Sequence, residues 1–199
     1  MPLEIRRLED ADVPQFVTIT TAALGTSGIG RAMHDDPPHP AYVERRKEKV
    51  RKSLGKPNFH HLKVVDTDNN DEIIACAVWE VFPNGRSDED LRELEQPFQP
   101  IVEEGERFCR FQKHFFGYLG RVRLQMGKAP HYCAMLIRWG TEQADKAGLI
   151  CFLEASEAGR ELYKRHGFED QETTEFDLSE YGVSGIDKNT TMIRQPVKN

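Results

Sequence analysis

The sequence contains few cysteines, and they are widely spaced. There is no Cys-x-x-Cys pair and no zinc-ligand spacing, which argues against a disulfide framework or a structural zinc site. Reduced, mostly buried thiols in a cytoplasmic protein are therefore expected, although a cysteine nucleophile is possible in principle. The four residues are Cys76, Cys109, Cys133 and Cys151.

Long apolar runs and an excess of positive charge are also missing. No stretch approaches the roughly 20 apolar residues of a membrane helix, and residues 1–7 contain no apolar signal core. The 27 Lys and Arg residues stand against 33 Asp and Glu residues, for a net charge of −6. Neither a nucleic acid nor a membrane is therefore an expected partner. The oligomeric state cannot be read from the sequence.

The composition that is present is typical of one folded domain. A chain of 199 residues, 38% hydrophobic and 30% charged, can bury a sizeable core. A loop at residues 34–40 holds two histidines and two aspartates, but no framework positions them, so no metal site is predicted. A basic run in the helix expected over residues 41–54 is interpreted as a solvated face. Contact with a phosphate-bearing ligand or an acidic partner is the alternative.

Hydrophobic periodicity organises the first two thirds of the chain. It predicts a short strand near residues 3–8, a helix that begins at Asp10 or Asp12, and a hairpin of strands 61–66 and 73–82. Residues 86–127 are interpreted as a variable, partly helical insertion. An aromatic stripe within them is assigned to the core, although Gly117 and Gly120 weaken the expectation of one continuous helix.

The most informative stretch is residues 149–168. A continuous apolar run over 149–153 indicates a strand that is covered on both faces. Ser156 can then cap a short helix, and Gly167 can end it, with Phe168 as the hydrophobic residue that follows. A confident helix over 135–147 precedes this strand, so the two predict an α/β crossover with a parallel strand just upstream.

The order of residues in this region resembles one known family. Leu-Glu-Ala-Ser at 153–156, then Gly159, Leu-Tyr at 162–163 and Gly-Phe at 167–168 are similar to the C-terminal half of the GNAT superfamily of N-acetyltransferases. The resemblance covers nearly the whole chain but is specific mainly in 135–168. It implies a single α/β domain over residues 1–199, with a mixed, mostly antiparallel twisted sheet flanked by helices. The first helix would border the acceptor site.

The resemblance also implies an activity and a set of site residues. Members of the family transfer acetyl from the co-substrate acetyl-CoA to an amine of a small molecule or a protein. Tyr163 stands where the family places the acid that protonates the leaving thiolate, and Ser156 and Gly159 lie where the pantetheine arm passes. Glu154 is a candidate general base, and Lys128 a candidate for the coenzyme phosphates. Tyr163 could instead be a core tyrosine, and Glu154 a structural or solvated carboxylate.

One expected part cannot be recognised. The family holds the coenzyme pyrophosphate with a Gly-x-Gly loop at a helix N-terminus, but residues 126–135 contain no such pair. An ungapped alignment puts Lys128 in the loop and His131 and Cys133 in place of the glycines, which would obstruct backbone approach. Alternatively, roughly fifteen residues, a strand of typical length plus the loop, are deleted. In a third alignment Arg121–Met126 serves as the central strand.

These alternatives leave the function open between classes. An N-acetyltransferase whose coenzyme site is impaired is the primary hypothesis, because Ser156, Gly159 and Tyr163 are intact. A catalytically inactive GNAT-like binding or accessory protein is the runner-up, and a repurposed enzyme that does not acetylate is the third. The missing loop favours the last two hypotheses.

Overall fold

The computed structural model describes residues 2–100, 105–133 and 137–197, and in that part the chain forms one seven-stranded sheet with helices on both faces. Single-turn 3₁₀ helices lie at Asp10–Asp12 and Ser179–Tyr181. The elements in chain order are β1 (Leu3–Arg7), α1 (Val13–Gly25), α2 (Gly28–Met33), α3 (Pro40–Ser53), β2 (Phe59–Asp66), β3 (Glu72–Phe82), α4 (Asp88–Glu95), α5 (Glu106–Met126), β4 (His131–Cys133), α6 (Ile137–Ala147), β5 (Ile150–Ser156), α7 (Glu157–Arg165), β6 (Glu169–Asp177) and β7 (Ile186–Arg194).

The strands lie in the order β1-β2-β3-β4-β5-β7-β6. Every neighbouring pair is antiparallel except β4 and β5, which are parallel and are joined through the crossover helix α6. The predicted α/β fold with a mixed, mostly antiparallel sheet is confirmed. The hairpin is confirmed as β2 and β3, and the helix predicted over 135–147 is α6, whose first two predicted residues lie outside the described part.

Helices pack on both faces of the sheet, and separate clusters of buried apolar side chains lie between the helices and each face. On one face α6 and α7 pack on a cluster that includes Trp79, Cys151 and Leu153. On the other face α1, α2, α3 and α5 pack on two clusters around Val17 and Phe111. The alternation of strand side chains therefore divides the molecule into an α6/α7 face and an α3/α5 face, and these two names are kept below.

A close helix-to-strand contact fixes α6. Trp79 of β3 is fully buried, and a Cβ on Gly140 of α6 would lie 1.8 Å from Trp79 Cζ2. Only glycine lets the helix backbone approach the indole this closely. The strand β5 that follows α6 is thereby held beside the short central strand β4.

Helix α5 corrects two expectations about the middle of the chain. It runs unbroken over 21 residues through Gly117 and Gly120. Its aromatic stripe lies in the core, as predicted, and buries Phe108, Phe111 and Phe115. The alternative that made Arg121–Met126 the central strand is wrong, because these residues form the last turns of α5, where Val122 and Met126 are buried by helical spacing.

The central strand is present, so the deletion of a whole strand is also wrong. Strand β4 pairs His131 with Phe82 of β3 and with Ile150 of β5. The His131 side chain is fully buried and stacks on Phe82, with ring centroids 4.9 Å apart. His131 is thus a strand residue and not a substitute for a loop glycine. With three residues, β4 is shorter than a typical strand.

Candidate functional site

The parallel strands β4 and β5 separate at their carboxyl ends. The β4 ladder accompanies β5 from Ile150 to Phe152, whereas the β7 ladder follows β5 as far as Ser156. The edge of β5 on the β4 side therefore has no strand partner over 153–156 within the described residues. Backbone N–H and C=O groups on such an edge can pair with an extended ligand.

Ser156 ends β5 and begins α7. Its extended backbone and its hydroxyl form the predicted N-cap, in which Ser156 Oγ accepts a hydrogen bond from the Gly159 amide at 3.3 Å. A cavity of about 290 Å³ adjoins this cap on the side of α2 and β7, and its lining includes Ser156, Glu157 and Asp187. At the other end of α7, Gly167 adopts the left-handed φ of +84° and Phe168 is buried, as predicted.

Tyr163 lies one turn after Gly159 and covers it. A Cβ on Gly159 would come within 3.0 Å of Tyr163 Cε2, so the ring rests on the glycine. Tyr163 packs on the buried cluster of the α6/α7 face and makes an edge-to-face contact with Phe168 at 5.9 Å. Within the described residues its hydroxyl makes no hydrogen bond. Burial raises the pKa of the Tyr163 hydroxyl, which keeps it protonated and able to donate.

Glu154 lies on β5 but faces the other way. Its carboxylate accepts two hydrogen bonds from Arg123 of α5, from Nε at 2.6 Å and from Nη2 at 3.2 Å. The Glu154 side chain is only 11% exposed, so this ion pair lies largely inside the α3/α5 face. The structure therefore does not bring Glu154 and Tyr163 together, because they project from opposite faces of the sheet.

Glu80 and Arg86 form a second pair of charged groups, which the sequence reasoning missed. Glu80 of β3 lies 3.7 Å from Arg86, which is buried and stacks over Phe82 at 4.0 Å. His131 stacks on the same Phe82 ring, and its Nδ1 is 2.7 Å from the Ala129 carbonyl oxygen. Burial lowers the pKa of His131, which favours its neutral form. The available signal was Glu80 itself, the one charged residue in the apolar run 73–82.

No protein-family model matches the sequence, and no curated protein sequence matches it. Solved structures do match. Arylalkylamine N-acetyltransferase 2 from Aedes aegypti aligns over 98% of this chain and 99% of its own, at 11% identity and a TM-score of 0.63. Histone acetyltransferase HPA2 and related acetyltransferase from Corynebacterium glutamicum aligns over 100% and 99%, at 17% identity and 0.55. The chain has the GNAT fold.

A third GNAT structure was determined with acetyl-CoA. It is a phosphinothricin acetyltransferase from Sinorhizobium meliloti, which aligns over 98% of this chain and 89% of its own, at 13% identity and a TM-score of 0.52. Identities of this size establish the common fold. The roles of individual residues in this chain depend on the geometry of its own site.

Lys128 does not lie near the other residues to which the GNAT resemblance gave a role in coenzyme binding. It precedes β4, and its ammonium pairs with Asp88 at 2.7 Å on the surface. His131, just after it, pairs with Ile150, whereas Ser156 lies six residues further along β5, or about 20 Å at strand spacing. The structure therefore separates Lys128 from Ser156 and Gly159, which lie at the opposite end of the parallel strands.

The described residues can be compared with two parts of a coenzyme A molecule, its pantetheine arm and its pyrophosphate. Over 153–156, where β5 extends beyond the last described residue of β4, its backbone suits the extended pantetheine arm. The pyrophosphate would need backbone amides just before α6, where residues 134–136 lie outside the described part. The geometry of β5 thus fits the pantetheine arm. The predicted phosphate loop lies outside the described residues.

The remaining candidate groups are the thiols and the metal-ligating side chains. Burial raises the pKa of the Cys76 and Cys151 thiols to about 11, which disfavours a thiolate nucleophile at either position. No cluster of three or more metal-ligating side chains occurs in 2–100, 105–133 and 137–197. Within the same ranges, every helix is too short or too polar to cross a membrane.

Proposed function

We propose that this protein is an N-acetyltransferase that moves acetyl from acetyl-CoA to an amine. One observation carries the proposal: β5 extends beyond the last described residue of β4 and runs directly to Ser156, Gly159 and Tyr163. The GNAT fold supports the same function. When bound, acetyl-CoA would supply the acetyl thioester.

The proposal gives a role to the end of β5 and to two residues of α7. The free backbone groups over 153–156 hold an extended arm by strand-like hydrogen bonds. Gly159 lets the Tyr163 ring pack directly against the backbone of α7. The Tyr163 hydroxyl, kept protonated by burial, donates its proton to the departing thiolate. Lys128 has no task here, because it lies at the far end of the strands.

The amine needs a proton acceptor, and Glu154 stays the candidate from the sequence. Its pairing with Arg123 occupies both carboxylate oxygens. Glu80, on the same face, is a second carboxylate that could serve directly or through water. Individual replacement of Glu80 and Glu154 by glutamine would identify the one that titrates in the pH profile of kcat/KM.

A non-catalytic GNAT-like binding protein is the second candidate, favoured by the missing Gly-x-Gly and by the engaged Glu154. Release of free coenzyme A thiol from acetyl-CoA, measured with a panel of alkylamines, amino acids and polyamines, distinguishes the two. Amine-dependent release above the rate of hydrolysis, with loss of most of the rate in Tyr163→Phe, supports the enzyme. Binding of acetyl-CoA without any amine-dependent release supports the accessory protein.

A further inference from the structure

Strand β1 forms one edge of the sheet, and among the described residues no strand lies on its outer side. Its register with β2 is one-to-one over its whole length. The Leu8 N–H donates to the carbonyl oxygen of His61 at 3.0 Å, and the Thr67 N–H donates to that of Pro2 at 3.2 Å. Because residues of an antiparallel strand alternate in the direction of their backbone groups, the even-numbered residues of β1 face β2. The residues whose N–H and C=O groups point away from the sheet are Leu3, Ile5 and Arg7.

The side chains of β1 divide between the two faces of the sheet. Leu3 and Ile5 project from one face and are 49% and 50% exposed. Glu4 and Arg6 project from the other face, where Arg6 donates to the Glu4 carboxylate at 2.8 and 2.9 Å and pairs with Asp71 at 2.8 Å. The free edge of β1 therefore has exposed apolar side chains on one side and two opposite charges on the other.

The order of these charges makes β1 complementary to an antiparallel copy of itself. The free backbone groups belong to odd-numbered residues, so only registers that pair odd with odd positions form hydrogen bonds. Pairing Ile5 with Ile5 of a second copy places Glu4 opposite Arg6 and Arg6 opposite Glu4. The next allowed register in one direction places Glu4 opposite Glu4, and in the other direction Arg6 opposite Arg6. Opposite charges stabilise a cross-strand pair and like charges destabilise it, so the register centred on Ile5 is selected.

The other edge of the sheet is not complementary to itself. Strand β6 contains five carboxylates among its nine residues and neither lysine nor arginine. A symmetrical pairing of β6 with a second copy would bring like charges together. A contact of β1 with β1 uses the same surface on both copies, so it closes at two copies and leaves no free β1 edge for a third.

We propose that β1 is an interaction surface for a second copy of this chain, and that the two copies pair antiparallel about Ile5 to form one continuous sheet. Leu3 and Ile5 of each copy then lie beside those of the other, which removes exposed apolar surface from water. The proposal does not depend on acetyl transfer. Strand β1 is four strands away from β5, so the contact does not involve the candidate site.

Reversal of the β1 charges tests the pairing and its register together. Sedimentation velocity of the full chain is measured from micromolar to millimolar concentration for the wild type, Glu4→Arg, Arg6→Glu and the double variant with both changes. The wild type is expected to show an equilibrium of monomer and dimer. Each single reversal should raise the dimer dissociation constant about tenfold or more, because two contacts between like charges replace two between opposite charges.

Two restorations separate loss of the interface from loss of the fold. The double variant should dimerise like the wild type, since it again places opposite charges across the contact. An equimolar mixture of Glu4→Arg and Arg6→Glu should also dimerise, because each variant supplies the charges that the other lacks. An exposed apolar residue of α1 provides a matched control for Ile5. Ile5→Glu should weaken the dimer, whereas Leu24→Glu should not, although Leu24 is also 50% exposed.

Amide hydrogen exchange locates the contact on β1. On dilution from dimer to monomer, the Ile5 and Arg7 amides should lose protection, whereas the Glu4 and Arg6 amides, which face β2, should keep theirs. A monomer at millimolar concentration overturns the proposal, as does a dimer that Glu4→Arg leaves unchanged or a mixture of the single variants that stays monomeric. An assembly larger than two copies also overturns it, since the pairing of β1 with β1 is closed.

Discussion

The aromatic ring of Tyr163 rests on Gly159, so closely that a Cβ at position 159 would lie 3.0 Å from Tyr163 Cε2. The contact joins the two residues to which the family resemblance gave roles in coenzyme binding and acid catalysis. It also links the stability of α7 to the position of the phenol, since both residues lie on the same short helix.

Gly159→Ala should therefore separate stability from activity. Alanine favours the helix by up to about 1 kcal/mol, which offsets the cost of moving the ring by a few tenths of an ångström. The free energy of unfolding should change by less than about 1 kcal/mol, measured with urea. Acetyl transfer should fall by about tenfold or more, because the displaced phenol no longer meets the thiolate. Unchanged kcat in a folded variant would contradict the assigned position of Tyr163.

Tyr163→Phe tests the acid role through pH. Burial raises the pKa of the hydroxyl, so the proton needed for catalysis is present at neutral pH and is lost only above the usual titration range of tyrosine. The wild-type rate should show no alkaline fall that depends on Tyr163 below about pH 10. The variant should lose kcat about 100-fold with little change in acetyl-CoA affinity. A variant that retains the wild-type kcat makes Tyr163 a core residue only.

The Arg123–Glu154 pair should stabilise the fold more than a similar pair on the same helix. Glu154→Gln leaves the half-buried guanidinium of Arg123 without this carboxylate and should cost about 1–2 kcal/mol of unfolding free energy after allowance for partial exposure. Glu172→Gln removes the exposed partner of Arg121, at 3.0 Å, and should cost less than about 0.5 kcal/mol. Chemical denaturation of both variants measures the difference. Equal losses would show that burial does not strengthen the Arg123 pair.

Gly140→Ala should disrupt the packing of α6 on the sheet. The added methyl would overlap the Trp79 indole, so about 1–3 kcal/mol or more of stability should be lost. Gly117→Ala in α5 is the matched control, because a Cβ there meets nothing within 4 Å and the substitution should stabilise the helix by about 0.5–1 kcal/mol. Thermal unfolding followed by tryptophan fluorescence measures the stability change of each variant. A tolerated Gly140→Ala would contradict the close contact.

The sequence predicted those parts of the fold that local rules determine. The Ser156 cap, the turn at Gly167 and the apolar strand β5 each follow from a few adjacent residues, and the structure confirms all three. The resemblance placed them in the correct fold. The helical stripe of α5 was also predicted, because aromatic spacing is a local signal.

Local sequence rules could not predict which residues distant in sequence lie together in the fold. Arg121–Met126 alternate like a strand, yet tertiary packing of Val122 and Met126 keeps them in α5. The separation of Lys128 from Ser156 depends on the register of β4 with β5, which adjacent residues do not encode. The pairing of Glu154 with Arg123 spans 31 positions, so no spacing pattern could reveal that the candidate base is already bound.

The central claim is that the free edge of β5 and α7 form a working acetyl-CoA site. Calorimetric titration of the full chain with acetyl-CoA, followed by competition with coenzyme A, tests it most directly. We predict saturable binding at micromolar to low millimolar concentration and displacement by coenzyme A; saturating acetyl-CoA should raise the melting temperature. No detectable heat and no thermal shift at millimolar acetyl-CoA would contradict the account.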